Sequence, residues 1–312
     1  MTKQAFLGGL VAMFALLVLG GCSKEAKSET AAAVDSGDPV LVLEAGVEPR
    51  TPLRYKITDG TVTKSNMDFR LATLAQTADA AALSVVPGVR LHIVSGPSMR
   101  TEQGIEFEVN IKKAEAMVPE GLDESVDDDL RQSASILDNV GGTVVINDRG
   151  LIRSAKLNEQ AKNPDLPLRL LMMIVNARTT LARVVLPAEP VGLGARWQST
   201  KELVLYGFKI QQVDSYTLVE KVGDEIKLNV TVTQNALPQT VDFPDDGVSI
   251  SVETMTMNAS GEIILNLNAL ESDAAAAGDS TDKMTVTAGD KTEKIEVTET
   301  FEIRMTNTTA FE

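Results

Sequence analysis

The chain is poor in the residue types that carry most protein chemistry: 312 residues include one cysteine, one histidine, one tryptophan and three tyrosines. A lone cysteine forms no internal disulfide, and one cysteine with one histidine assembles no soft-metal site of ordinary ligand count. The histidine, His92, follows Arg90 and Leu91 in an alternating stretch, where a solvent-facing strand residue is expected rather than a catalytic imidazole. Walker-type phosphate loops and Gly-x-Ser-x-Gly elbows are missing. Aromatics make up only 4% of the chain, leaving few stacking platforms for sugars and a core to be built from Val, Ile, Leu, Ala and Met. Positive charge is also scarce: 29 Lys and Arg face 44 Asp and Glu, a net charge of −15. Such a surface repels phosphates, so a nucleic-acid partner is not expected. Carboxylates leave calcium as the one metal to consider. Asp127, Asp128 and Asp129 fall near a helix start, however, and Asp242, Asp245, Asp246 and Gly247 lack the spacing of a calcium loop. Neither a metal site nor an enzyme is expected.

Against this background one run stands out. Lys3 precedes an apolar stretch from Ala5 to Leu19, which closes in Leu19-Gly20-Gly21-Cys22. The arrangement resembles a bacterial lipoprotein signal peptide, with a short basic region, an apolar region and small residues before the cleavage point. The resemblance implies cleavage after residue 21 and acyl chains on Cys22, the only cofactor-like group expected. The alternative, an uncleaved anchor helix, needs about 20 apolar residues to cross a bilayer. Acylation also disposes of a free thiol, which is a liability in an oxidising compartment. Ser23 after the cysteine resembles the pattern of lipoproteins sent to the outer membrane, facing the periplasm or the cell surface.

The chain divides into a signal (1–21), an acylated tether (22–50), an N-terminal β-rich unit with an amphipathic helix (51–162), and a buried helix with a C-terminal antiparallel β unit (163–312). The two units are expected either to stand apart or to form one continuous domain. Apolar and polar residues alternate at Leu53, Tyr55 and Ile57, before an Asp59-Gly60 turn. They alternate again at Ile105, Phe107, Val109 and Ile111, at Ile226, Leu228, Val230 and Val232, and at Ile295, Val297, Phe301, Ile303 and Met305. Strands apolar on one face belong to antiparallel sheets, whereas buried parallel strands read as continuous apolar runs. Helical spacing appears at Val126, Leu130, Ala134 and Leu137, ended by Gly141-Gly142, and a nearly continuous apolar run from Pro164 to Val185 predicts a buried helix. Asn147-x-x-Gly150 and Asn258-x-x-Gly261 both read as turns between strands, either two independent hairpins or the trace of a duplication. The acidic, Ala-rich stretch from Glu271 to Asp282, where Ser280-x-x-Lys283 begins, reads as a mobile loop.

The fold class expected is therefore α+β, mostly antiparallel β, with curved sheets or a half-barrel and two helices, one of them buried. Val185-Leu186-Pro187-Ala188-Glu189-Pro190-Val191-Gly192-Leu193-Gly194-Ala195-Arg196-Trp197, together with Leu53-Arg54-Tyr55, resembles a signature of an uncharacterised family of bacterial lipoproteins. That resemblance implies a β-rich envelope lipoprotein and supplies no catalytic residues. A looser likeness, at the level of fold, is to Lol-type lipid carriers, in which a curved sheet wraps helices around an apolar cavity. Two functions follow. The first is a non-enzymatic, membrane-anchored lipoprotein holding a lipid or other apolar ligand between sheet and helix, lined by Leu168, Leu171, Met172, Val175, Met255 and Met257. The second is a structural or interaction lipoprotein with a solid core, whose acidic exterior docks a basic envelope protein.

Overall fold

A computed structural model describes residues 38–78, 80–118, 124–163, 166, 174–205, 207–243 and 247–309. They form one mostly antiparallel sheet of 14 strands. In chain order the strands are β1 (Val40–Glu44), β2 (Thr63–Gln76), β3 (Ala81–Ser95), β4 (Met99–Thr101), β5 (Gly104–Met117), β6 (Gly141–Ile146) and β7 (Ile152–Leu157). The second half supplies β8 (Arg196–Leu205), β9 (Phe208–Val222), β10 (Glu225–Ala236), β11 (Gln239–Phe243), β12 (Val248–Asn266), β13 (Asp273–Ala288) and β14 (Lys291–Thr308). Helix α1 (Glu124–Ser135) joins β5 to β6, and a helical stretch at 174–182 ends in a π turn over Arg178–Ala182. Among the described residues no helix is long and apolar enough to cross a membrane.

The spatial order is β1-β8-β9-β10-β12-β13-β14-β2-β3-β5-β6-β7, with β11 beside β12 and β4 beside β5. Strands from both sequence units share this sheet, because β14 pairs with β2 over Glu296–Gln76 to Thr308–Lys64. On a flat sheet the edges β1 and β7 would stand about 50 Å apart, at roughly 4.8 Å per strand. Instead, Asp38, just before β1, accepts a bidentate pair of bonds from Arg149, just before β7, at 2.6 and 2.9 Å. The sheet therefore curls until its edges nearly meet. β1 pairs with β8 and β7 with β6, and the sheet stays open between them.

Curling gives the sheet an inside, and alternation decides what lies there. Leu53, Tyr55 and Ile57 are buried as their spacing requires, but they form no sheet strand: the segment threads the interior, Tyr55 N donating to Asp148 O and Lys56 N to Leu267 O. The helical stretch beside it buries Ile174, Ala177, Leu181 and Ala182, and Trp197 of β8 stacks on Tyr216 of β9 with centroids 5.6 Å apart. These groups join Phe107, Ile146, Ile263, Leu265 and Met305 in one core that fills one end of the curl. A smaller cluster, Val248, Met284, Val286, Ile295 and Val297, lies toward the other end of the same strands.

Three sequence expectations are corrected. The stretch from Glu271 to Asp282 is no mobile loop: Glu271 and Ser272 are wholly buried, and β13 runs from Asp273 as a central strand. Its inward positions, Ala274, Ala276, Gly278, Ser280 and Asp282, are small or polar, which hid the alternation. Asn258 to Gly261 is no turn, since β12 passes straight through it, and a Cβ on Gly261 would lie 2.1 Å from Ala275 O on β13. His92 is buried at 4% exposure, not solvent-facing, with Nε2 3.1 Å from Glu115 Oε2. The register of β3 against β5 shifts between His92 and Ile93, so one extra residue breaks the period of two there.

Candidate functional site

Strand register lines up one row of side chains across the inside of seven strands. Lys201 stands opposite Gln212, Gln212 opposite Gln234, Gln234 opposite Met257, Met257 opposite Ser280, Ser280 opposite Glu299, and Glu299 opposite Thr73. All but Met257 are polar, in the middle of a face that is otherwise mostly apolar. Gln234 Nε2 donates to Gln212 Oε1 at 2.6 Å, and Gln212 Nε2 donates to Thr180 Oγ1 at 2.9 Å and to Asp214 Oδ1 at 2.5 Å. Lys201 Nζ donates to Thr180 Oγ1 at 2.9 Å and lies 3.3 Å from Asp214 Oδ2. Burial lowers the Lys201 ammonium from its usual pKa, and the neighbouring Asp214 carboxylate opposes that shift. At the other end, Thr73 Oγ1 and Ser280 Oγ donate to the two oxygens of Glu299 at 3.2 and 3.4 Å. Buried polar groups cost stability unless hydrogen-bonded, and this row meets that demand with bonds running along the sheet.

The rows on either side are more apolar. Toward the filled end lie Val232, Ala259, Gly278, Phe301 and Leu71; toward the smaller cluster lie Ala236, Met255, Asp282, Val297 and Ala75. Met255, Met257, Ala259 and Phe301 point inward yet are only half-buried. Ile263 and Ile303 on one side of them, and Ile295 and Val297 on the other, are closed off. The inward face is thus incompletely covered at its centre, where Met257, Ala259 and Phe301 pack against the core on one side and stay half-buried beside the polar row.

A second polar group anchors the helical stretch. Glu271 Oε1 accepts hydrogen bonds from Arg178 Nη2 and Ser95 Oγ, and Arg183 Nη2 lies 3.5 Å from the same oxygen. All three charged residues are buried, at 0%, 6% and 4% exposure for Glu271, Arg178 and Arg183. The Arg183 guanidinium also lies 4.9 Å over the Phe107 ring, a favourable cation–π contact. Burial lowers the Arg178 pKa against the pull of Glu271, and burial raises the Tyr55 hydroxyl, which donates to Val184 O at 3.1 Å. Two guanidiniums share one carboxylate, and Arg178 Nη1, Arg183 Nε and Glu271 Oε2 have no hydrogen-bond partner among the described residues. This arrangement ties 178–183 to the β12–β13 connection and to β3, and the carboxylate oxygen that accepts from Ser95 also holds Arg178. Among the described residues no cluster of three His, Cys, Asp or Glu side chains is placed to hold a metal ion.

Of the residues read from sequence as ligand-lining, Leu168, Leu171 and Met172 lie outside the described residues, as does Cys22. Val175 is on the helical stretch but 37% exposed. Met255 and Met257 occupy the inward face just described. Sequence reasoning missed Gln212, Gln234, Glu299, Arg178, Arg183 and Glu271. The signal for the arginines was two positive charges inside an apolar run; the rest are single polar residues at inward positions of strands, visible once the register is known. Two clefts, of about 250 Å³ beside Lys64, Glu225 and Asp273 and about 180 Å³ beside Leu43, Arg196 and Ser215, are lined by polar as well as apolar residues.

The stretches Leu53-Arg54-Tyr55 and Val185 to Trp197 meet in space. Arg54 Nη1 and Nη2 donate to the carbonyls of Pro187 and Ala188 at 2.9 and 2.7 Å, and Trp197 Nε1 donates to Val185 O at 2.9 Å. The motif is therefore a structural lock on the filled end. No protein-family model and no curated protein matches the chain. Among solved structures, one described as lipid–protein interactions in lipovitellin is similar at 11% identity and a TM-score of 0.42, over 82% of this chain and 26% of that one. The chain thus spans well under half of the lipovitellin chain.

Proposed function

We propose that the protein is a non-enzymatic, acylated envelope lipoprotein of the uncharacterised kind it resembles, and that its curved sheet holds the chain of a lipid or other apolar molecule against the inward face. The observation that carries this reading is the half-buried set Met255, Met257, Ala259 and Phe301, on a face closed on either side. Methionine adapts to varied apolar shapes, which suits a surface that receives flexible chains. The polar row through Gln212, Gln234 and Glu299 beside it offers hydrogen-bonding groups to the polar end of an amphiphile. The sequence Leu19-Gly20-Gly21-Cys22 supports the anchor: acyl chains add about 0.8 kcal/mol per buried methylene, and more than one gives stable attachment. Ser23 supports delivery to the outer membrane.

Mass spectrometry of protein purified from native membranes tests the reading. Acyl mass on Cys22 and a co-purifying apolar molecule are expected, the latter lost in Met257→Glu. Protein that carries no apolar molecule, with a thermal melt unmoved by added fatty acid, would contradict ligand binding. A Cys22→Ser variant that stays in the membrane fraction would contradict the anchor.

A further inference from the structure

The curled sheet leaves β7 as a free edge. Among the described residues β7 is bonded to β6 alone, from Gly142–Leu157 to Ile146–Ile152, and all six of its residues are exposed. An unpaired edge presents a row of backbone N–H and C=O groups that will accept another strand. The charge of this edge runs against that of the chain as a whole: β7 carries Arg153 and Lys156 and no acid, in a protein of net charge −15. Among the described residues neither Arg153 nor Lys156 has a carboxylate oxygen within 4 Å; Glu159, which feels the charge of Lys156, is bonded to Lys162. Asp38, at the other edge of the sheet, is gripped by both Nη atoms of Arg149. The edge is therefore electrostatically and geometrically ready for an acidic strand.

We propose that β7 is a docking edge for an extended acidic segment of a partner protein, which extends the sheet by one antiparallel strand. A second copy of this chain fits poorly in the register that pairs the two β7 strands over their full length. Two β7 strands paired about a two-fold axis between Ser154 and Ala155 place each Arg153 opposite the other's Lys156, and like charges directly opposite destabilise a strand pair. Lys156 stands opposite Thr143, and Arg153 is the extra residue of a bulge, since β7 steps from Ser154 opposite Val145 to Ile152 opposite Ile146. The matching segment has two carboxylates three residues apart, flanked by apolar residues that meet Ile152 and Leu157, which are 38% and 45% exposed.

The probe is a fluorescein-labelled peptide, Val-Glu-Thr-Thr-Glu-Val, titrated at low ionic strength against the full chain. Saturable binding is expected, with increased hydrogen-exchange protection of the β7 amides. The double variant Arg153→Glu, Lys156→Glu should bind about tenfold more weakly, from two opposite-charge pairs turned repulsive, and should gain affinity for Val-Lys-Thr-Thr-Lys-Val. Both positions are exposed, so the variant should keep the wild-type circular dichroism. Absence of saturable binding would overturn the proposal. So would equal binding of a peptide N-methylated at alternate residues, because charge attraction alone tolerates that change and strand pairing does not. Concentration-dependent self-association that Arg153→Glu weakens would instead assign the edge to a second copy and refute the acidic partner.

Discussion

Glu271 is held in the core between two buried guanidiniums, those of Arg178 and Arg183. Removing one partner of a buried ion pair costs more than the pair contributes, since the other charge is left in a poor solvent. Glu271→Ala should therefore lower stability by about 3–5 kcal/mol in urea unfolding. Arg183→Met should cost less, because it removes a surplus positive charge while keeping apolar contact with Phe107. Equal losses would mean that Glu271 acts through packing alone. Asp38 makes a different prediction. The Arg149 guanidinium lowers its pKa below the usual 3.8. A carboxyl whose folded pKa is depressed contributes stability above its unfolded value and loses it as pH falls through the folded one. The Asp38 side chain is 39% exposed, so the contribution is screened to at most about 1 kcal/mol. The gap in stability between wild type and Asp38→Asn should be present at neutral pH and be lost as pH falls through the folded pKa, which lies below 3.8. A gap that persists in acid would show that the clasp between the sheet edges does not depend on the Asp38 charge.

Among the elements, the turn through Val191 to Ala195 shows how local sequence fixes a distant contact. Gly192 N donates to Ala45 O at 2.9 Å, and a Cβ on Gly192 would fall 1.8 Å from Val47 O. Gly192→Ala should thus push the segment after β1 away from the sheet and lower the melting temperature by several degrees, of the order expected for about 1–2 kcal/mol in a chain of this size. The same substitution at Gly194, where φ is +78° but nothing lies within 4 Å, tests backbone strain without the clash.

Elements of this kind were unevenly legible. Strands β5, β10 and β14 could be read from alternation because their inward residues are large and apolar. β13 could not, since its inward positions are Ala, Gly, Ser and Asp, residues with weak strand preference that only neighbouring strands hold in place. Nor could the site. Lys201, Gln212, Gln234, Ser280 and Glu299 are far apart in sequence, and strand register alone brings them into a row. Met255 and Met257 were readable as adaptable apolar residues, but their incomplete burial is a property of the assembled sheet.

At the scale of the molecule, an antiparallel sheet of 14 strands curls until Asp38 meets Arg149, which creates an inside without a closed barrel. One end is filled by Leu53, Tyr55, Ile57 and Trp197, and the far end has its own small cluster. The centre, beside the polar row, carries the half-buried Met255, Met257 and Phe301, and the central claim is that an apolar chain lies there. Photo-crosslinking with a diazirine-bearing fatty acid, followed by peptide mapping, tests this most directly. The account predicts label on the β12 peptide containing Met255 and Met257 and on the β14 peptide containing Phe301, competed away by unlabelled fatty acid. Label confined to outward residues such as Ile264 and Val219, or label that excess fatty acid does not compete, would contradict it.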